Sequence, residues 1–201
     1  MRLITKPFPA KRLVLSMLAV LGIISTATAY DFEVNGIYYN TNGTEATVTR
    51  KTTSGNSYSG NVVIPSVVTY NGITYPVTTI DDNAFSKCSD LMSIDMPESI
   101  THIGNYAFVY CTGVTNVVIP NSVITAGSSI FHGCTGLIDV TIGQSIREMS
   151  LPFSSCDNLA HVTILCDSVG DSWFMERPCL EEVVLGDKVT SIGRGAFFKC
   201  Q

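Results

Sequence analysis

The chain repeats one pattern of apolar and polar positions over most of its length. Short segments in which apolar and polar residues alternate recur at regular intervals, and two clear examples are Leu91–Met96 and Val114–Ile119. Such alternation is typical of a β-strand that has one buried face. A proline or a glycine follows most of these segments, as at Pro97 and Gly143, and residues of this kind end a strand.

A repeated phenylalanine shows the same period. Its copies are separated by 23, 23, 22, 21 and 23 residues: Phe85, Phe108, Phe131, Phe153, Phe174 and Phe197. A leucine-like position repeats in step with them: Leu91, Val114, Leu137, Leu159 and Leu180. A fixed period in this range predicts a solenoid, in which each coil packs only on its neighbours. The expected fold class is therefore a β-rich solenoid with short parallel strands.

Residues 30–76 depart from the repeat and are predicted to form a β-rich N-terminal cap of the hairpin type. Their β-branched and aromatic segments predict four strands: Phe32–Tyr39, Ala46–Lys51, Val62–Ile64 and Ile73–Val77. The dipeptides between them favour the positive φ angles of hairpin turns: Asn42-Gly43, Gly55-Asn56 and Asn71-Gly72. A cap covers the edge that the first repeat would otherwise expose. The repeat array itself is predicted to occupy residues 77–201.

The repeats resemble a known family. Residues 77–201 follow the phrase L-x-x-V-x-I-P-x-S-V-x-x-I-G-x-x-A-F-x-x-C-x-x-L, and this combination resembles the BspA-like leucine-rich repeats of bacterial secreted and surface proteins. The resemblance implies a right-handed solenoid with a parallel sheet and an irregular outer arc. It also implies a role in adhesion or ligand capture, for which host matrix or plasma glycoproteins are candidate targets.

Two repeats depart from this phrase. Residues 165–167 read Leu-Cys-Asp where a proline or glycine is expected, and residues 170–173 replace the I-G-x-x-A segment. In the next repeat Cys179 comes late, which assigns the usual cysteine place to Glu176. We therefore expect a distorted arc from Cys166 to Cys179.

The first 29 residues predict a secretory signal peptide. Four basic residues precede an uncharged apolar run of 12 residues, Leu13–Ile24, and an A-x-A cleavage site ends at Ala29. The run is shorter than the roughly 20 residues that a membrane span needs. We therefore expect cleavage after Ala29, a soluble mature protein without a membrane span, and a secreted or cell-surface location.

The chain is acidic once the predicted signal peptide is removed. The remaining 172 residues carry 8 basic and 17 acidic side chains, a net charge of −9. So acidic a chain repels phosphate backbones, and we expect no nucleic-acid partner. Its length suits one domain with a continuous core.

Seven cysteines in a secreted chain could form disulfides, but their spacing favours free thiols. Neighbours in one column would lie about 5 Å apart and point the same way, which disfavours bridges. Five cysteines share one place in the repeat and predict a column of buried thiols that act as small apolar side chains: Cys88, Cys111, Cys134, Cys156 and Cys200. Cys166 and Cys179 lie off this column and are the pair that could form a disulfide.

The sequence contains no recognisable catalytic or cofactor motif. His102, His132 and His161 fall at different phases of the repeat, so they cannot meet at one metal ion. There is no C-x-x-C pair for zinc, no G-x-S-x-G motif and no Gly-rich loop with a P-loop lysine. We therefore expect a non-enzymatic protein without a cofactor. A secreted hydrolase whose repeats present its substrate is the less favoured alternative.

The outward positions of the five predicted array strands form the candidate partner-binding face. The first outward position is polar in every strand, and the second mixes polar residues with valine. The regular sheet of a solenoid is its usual interaction surface. The ten candidate residues are Ser93, Asp95, Asn116, Val118, Asp139, Thr141, His161, Thr163, Glu182 and Val184.

The leading functional hypothesis is extracellular recognition or adhesion, in which the repeats bind a protein or a glycan without chemistry. The second hypothesis is a structural spacer or assembly module within a longer surface protein. The array stops at Cys200-Gln201 without a polar capping repeat. Since solenoids normally finish with such a cap, we expect either a longer array or end-to-end association of two copies.

Overall fold

The structure, a computed structural model, describes residues 29–200, and these residues form sixteen short strands and no helix. The predicted β-solenoid is confirmed, because equivalent strands of successive coils pair in parallel through the array. The predicted signal peptide lies outside the described residues, apart from its last residue, Ala29.

Two hairpin units make up the start of the described chain. The first contains β1 (Phe32–Val34), β2 (Ile37–Thr41) and β3 (Ala46–Thr49), which pair antiparallel. After β4 (Gly60–Val63), the second contains β5 (Val67–Tyr70) and β6 (Ile73–Ile80), also antiparallel. At the β5–β6 turn, Asn71 and Gly72 have φ angles of 51° and 78°, the positive values that tight hairpin turns require.

One predicted cap strand is wrong. The segment Phe32–Tyr39 is divided between β1 and β2, because Asn35 and Gly36 form a turn with φ angles of 52° and 78°. Asn-Gly is the strongest short-range signal for such a turn. It went unused because apolar residues on both sides suggested one continuous strand. β5 likewise has no predicted counterpart.

The alternating segments form one side of the solenoid, which we call the front sheet. Its strands are β4, β7 (Leu91–Asp95), β9 (Asn116–Ile119), β11 (Asp139–Ile142), β13 (His161–Ile164) and β15 (Glu182–Leu185). β4 pairs in parallel with β7, β7 contacts β9, and β9 to β15 form one parallel sheet. The front sheet therefore begins inside the predicted cap region, at Gly60.

A second set of parallel strands forms the opposite side, which we call the back sheet. It contains β6, β8 (His102–Ile103), β10 (Thr125–Ser128), β12 (Glu148–Ser150), β14 (Ser168–Val169) and β16 (Ser191–Ile192). β6, β8, β10 and β12 are continuous with the cap through β3, whereas β14 and β16 form a separate pair. The expected irregular outer arc thus contains regular strands as well as turns.

The repeated phenylalanines form a stack through the core. Phe85, Phe108, Phe131, Phe153 and Phe174 are fully buried, and Phe197 is half-buried. Centroids of successive rings lie 4.9, 5.0, 5.7, 5.2 and 5.3 Å apart, and the ring planes are within 13° of parallel. The Tyr58 ring, 4.4 Å from Phe85, begins the stack from the cap side. Offset stacking of this kind adds to the stabilisation from burial.

The column of cysteines runs beside this stack. Each thiol donates a hydrogen bond to the carbonyl oxygen of the phenylalanine one coil earlier: Cys111 to Phe85 at 2.9 Å, Cys134 to Phe108 at 3.0 Å, Cys156 to Phe131 at 3.1 Å and Cys200 to Phe174 at 2.9 Å. Burial raises the pKa of Cys156 to about 12 and that of Cys134 well above its usual value, so both stay protonated donors.

All seven cysteines are free thiols, which confirms the predicted column. Cys200 is only half-buried, while the four earlier members of the column are fully buried. The alternative disulfide between Cys166 and Cys179 is not formed, because Cys166 lies in the core and Cys179 is exposed.

Arg177 takes the one cysteine place that the repeat lacks, so the assignment of that place to Glu176 is wrong. The Arg177 guanidinium is buried and donates to the Phe153 carbonyl at 3.1 Å, as the thiols do in other coils. It also bonds Asp157 at 3.3 Å. Glu176 occupies the preceding position, where its φ of 60° matches the left-handed conformation of Lys87 and Tyr110 in earlier coils.

The turn that carries each phenylalanine, which we call the arc, is joined to the next arc by three backbone hydrogen bonds. The donors are the phenylalanine N–H and the N–H groups two residues before and after it, for example Phe108 to Ile130 at 2.8 Å. The two flanking donors have positive φ in almost every coil, as at Tyr106 and Tyr110. In residues 29–200, such bonds join every successive pair of arcs from Phe85 to Phe197 except one.

The exception is the junction between the arcs of Phe153 and Phe174, which we call the open junction. None of the three bonds is present there within residues 29–200, and β12 does not pair with β14. Trp173 stands where regular coils have Ala84 and Ala107. Its indole N–H bonds the Met149 carbonyl at 2.9 Å, a carbonyl that a backbone glycine N–H reaches in other coils. The bulky ring therefore replaces the backbone pairing, and the expected distortion around residues 166–179 is present.

Candidate recognition face

The parallel register of the front sheet aligns its outward side chains into columns. Asn116, Asp139, His161 and Glu182 are direct register partners in the first column. In the second column the register partners are Val118, Thr141, Thr163 and Val184. Ser93 and Asp95 take the equivalent positions of β7.

All ten candidate residues lie on the surface of this face. Asp139, Thr141 and Thr163 are half-buried, and the other seven are exposed. Their strand neighbours face the core, as Val117 and Val140 show with exposures of 1% and 3%. The structure thus brings the ten residues together on one side of the molecule.

The face also contains residues that the sequence reasoning missed. Asn61 and Val63 of β4 pair in register with Ser93 and Asp95, so both columns start one strand earlier. Ser93 Oγ donates to Asn61 Oδ1 at 3.0 Å. The signal was the phrase Asn61–Val67, which already imitates the later repeats.

A third column lies beside the first and was also missed. It holds the residue after each leucine-like position, and its backbone groups bond from coil to coil. Its members are Met92, Thr115, Ile138, Ala160 and Glu181. Because this position falls outside the strict alternation, periodicity gave no reason to expect it on the surface.

Charge is concentrated at the end of the face nearest β15. His161 Nδ1 lies 2.7 Å from Asp139 Oδ1, and His161 Nε2 lies 4.0 Å from a carboxylate oxygen of Glu181. Glu182 is the register partner of His161. The three columns contain no lysine or arginine, so four carboxylates including Asp95 give the face a negative field.

Exposed apolar side chains lie among these charges. The exposed fractions are 64% for Val63, 64% for Met92, 54% for Val118 and 45% for Val184. Contiguous exposed apolar groups rimmed by polar residues are typical of interaction sites. The face therefore offers both apolar contact and negative charge.

The other chemistry-bearing residues lie apart from this face. His102 is on β8 in the back sheet, and His132 lies in an arc with its ring 5.3 Å from the Tyr110 ring. Across residues 29–200, no three His, Cys, Asp or Glu side chains are grouped so that they could hold a metal ion. In the same part of the chain, no helix has the length and apolar character needed to cross a bilayer.

Comparison with known families agrees with the repeat geometry. The model of the BspA-type leucine-rich repeat region matches residues 63–201 in six copies. The chain belongs to this family. The matched segment includes the front-sheet positions from Val63 onward, so this BspA-type protein carries its candidate face within the family's own repeat.

Solved structures similar to this BspA-type protein come from several bacteria. A leucine-rich cell surface protein from Faecalibacterium prausnitzii is 28% identical, with a TM-score of 0.63 over 84% of this chain and 52% of that one. The Treponema pallidum leucine-rich repeat protein is 26% identical, with a TM-score of 0.63 over 85% and 89% of the two chains. A leucine-rich repeat protein from Eubacterium ventriosum, 20% identical with a TM-score of 0.60, covers 81% and 50% and shares the fold.

This chain therefore spans about half of the F. prausnitzii protein's length. No curated protein gives a significant match. The family and these neighbours are repeat proteins of bacterial surfaces, which suggests a role in protein interaction or adhesion.

Proposed function

We propose that this protein recognises a partner protein outside the cell through its front sheet, without catalysing a reaction. The observation that carries the proposal is the alignment of the outward columns, because parallel register gives a continuous surface of defined chemistry. The cell-surface description of the F. prausnitzii relative supports the location.

The chemistry of the face favours one kind of partner. Carboxylates at Asp95, Asp139, Glu181 and Glu182, without any lysine or arginine in the three columns, match a surface that carries basic side chains. Exposed Val118 and Val184 match apolar groups beside that charge. A basic and partly apolar protein surface fits both features, whereas an anionic polysaccharide would be repelled.

The experiment is a binding screen against immobilised matrix and plasma glycoproteins, free sugars and whole cell envelopes, repeated at several salt concentrations. We expect binding to at least one glycoprotein that weakens as salt rises, since surface charges are screened. The double variant Asp139→Asn/Glu182→Gln should reduce that binding by about tenfold or more.

A matched control removes the same charge elsewhere. The double variant Glu148→Gln/Asp187→Asn changes two exposed carboxylates outside the front sheet and leaves the same net charge. If both double variants bind equally, the front sheet is not the site. If no glycoprotein or envelope binds, the spacer or assembly role replaces recognition as the better hypothesis.

A further inference from the structure

The cap contains a cavity that the recognition face does not explain. It has a volume of about 350 Å³ and lies between the β1–β2 hairpin and β4. Its wall includes Asn35, Tyr39, Ser59 and Asn61. This volume is at the small end of the range of ligand pockets, about 300–1,000 Å³.

One polar group in the cavity wall is left unused by the fold. The Tyr39 side chain is fully buried, and its hydroxyl has no hydrogen-bond partner within the described residues. A buried hydroxyl without a partner is costly, and native structures rarely retain one without a reason. Burial raises the pKa of Tyr39 to about 12, so the hydroxyl keeps its proton and can both donate and accept.

The neighbouring tyrosine shows the contrast. Tyr58 also lines the cavity and is buried, yet its hydroxyl donates to the Thr49 carbonyl and accepts from the Tyr38 N–H at 3.2 Å. Its ring packs against Phe85. Tyr58 is therefore a structural residue, whereas the Tyr39 hydroxyl remains available for a ligand.

The lining of the cavity determines the class of ligand. Every lining residue is uncharged, which disfavours phosphates, carboxylates and amines. Asn35, Ser59 and Asn61 offer amide and hydroxyl groups beside the tyrosine rings and Ile37. A small neutral molecule with several hydroxyl groups and an apolar ring face has the complementary chemistry.

We propose that this cap cavity binds a single neutral sugar residue, with Tyr39, Ser59 and Asn61 as its polar contacts. The inference goes beyond the proposed function, since it concerns a second site with a different ligand. Asn61 and Val63 belong to both the cavity wall and the first strand of the front sheet, so the sugar site lies at the β4 end of the recognition face. A free sugar and the terminal residue of a glycan on a partner protein offer the same chemistry.

The test uses protein expressed from the full sequence and titrated, by ligand-observed NMR and calorimetry, with methyl glycosides of glucose, galactose, mannose and N-acetylglucosamine. We expect at least one to bind, and Tyr39→Phe to weaken that binding about fivefold or more, as loss of a neutral hydrogen bond does. Ser59→Trp, at the exposed rim, should block it. Tyr75→Phe is the matched control, because Tyr75 is a buried cap tyrosine outside the cavity wall.

Thermal melting keeps the result interpretable. Tyr39→Phe removes only an unpaired buried hydroxyl, so the melting temperature should stay the same or rise, and lost binding then reflects the site rather than the fold. Binding by none of the glycosides, or equal binding by Tyr39→Phe and wild type, would overturn the proposal. Asp139→Asn/Glu182→Gln should leave sugar binding unchanged, which separates this site from the front sheet. A glycoprotein arm, with and without enzymatic deglycosylation, distinguishes a glycan terminus from a free sugar.

Discussion

The arcs of Phe108 and Phe131 differ from those of Phe153 and Phe174 in how neighbours are joined. Three backbone hydrogen bonds link the first pair, and none links the second within residues 29–200. Ring stacking barely changes, with centroids 5.0 Å apart in the first pair and 5.2 Å in the second. On the other side of the coils, β11, β13 and β15 remain paired across the open junction. Front sheet and aromatic stack therefore hold the coils together where the arcs do not.

The largest expected effect tests the aromatic stack. Phe108→Ala should lower the free energy of unfolding by about 3–5 kcal/mol, because it removes a buried ring between two others and leaves a cavity. Phe198→Ala is the control, since this ring is 56% exposed, and its effect should stay within about 0.5 kcal/mol. Denaturant titration measures both. Similar losses at the two positions would show that the stack does not carry the stability assigned to it.

The second effect tests the arginine at the open junction. Arg177→Ala should cost about 2–3 kcal/mol, because the buried carbonyls of Phe153 and Met175 lose their donor. Arg177→Cys should recover part of that loss, since a thiol bonds the equivalent carbonyl in four other coils. Chemical unfolding of the three proteins decides this. If Arg177→Ala unfolds at the wild-type midpoint, the carbonyl contact contributes nothing.

The third effect compares amide protection on the two sides of the open junction. The N–H groups of Phe131 and Gly133 bond the next arc at 2.9 and 2.8 Å, whereas those of Phe153 and Ser155 have no such acceptor within the described residues. We expect at least about tenfold lower protection factors for the second pair, which corresponds to roughly 1.4 kcal/mol. Hydrogen exchange followed by NMR provides the measurement. Equal protection would mean that the arcs close in solution.

The smallest effect is expected at the exposed cysteine. Cys179→Ser should change stability by no more than about 0.5 kcal/mol, because the side chain is exposed and unbridged. A disulfide with Cys166 would instead make the substitution cost about 2–4 kcal/mol. Thiol titration of the denatured, unreduced protein should find seven free thiols. Five would point to one disulfide and contradict the structure.

Periodicity was sufficient to predict the regular part of the fold. The phenylalanine spacing located the aromatic stack, and the shared place of five cysteines located the thiol column. Alternation also predicted which side of each strand faces outward. These features follow from one-dimensional repetition, because each coil meets a neighbour with the same residues in the same places.

The open junction could not be derived in the same way. Residues 165–167 and Trp173 signalled that something changes, but not that backbone pairing would stop on one side only. The place of Arg177 was missed because a cysteine was expected to be replaced by a similar residue, and Glu176 was assigned by counting from Cys179. A long guanidinium that reaches the same carbonyl is a three-dimensional solution that composition does not reveal.

The left-handed residues of the arcs were equally hidden. Lys87, Tyr106, Tyr110 and Leu151 have positive φ, although such residue types rarely adopt it. Their conformation is imposed by the neighbouring coil, since most of these flanking N–H groups donate to its carbonyls. Similarly, the cap cavity depends on how the β1–β2 hairpin meets β4, and no local pattern encodes that contact.

The parallel register of the front sheet converts repeat number into length. Each coil advances the outward columns by one strand spacing, about 4.8 Å, so the six strands from Asn61 to Glu182 extend about 24 Å. A whole coil can be inserted or deleted with its hydrogen-bond pattern intact, whereas a fraction of a coil cannot. The molecule is thus a graduated ruler whose marks are side chains. A partner with regularly spaced binding groups is measured against it in whole divisions.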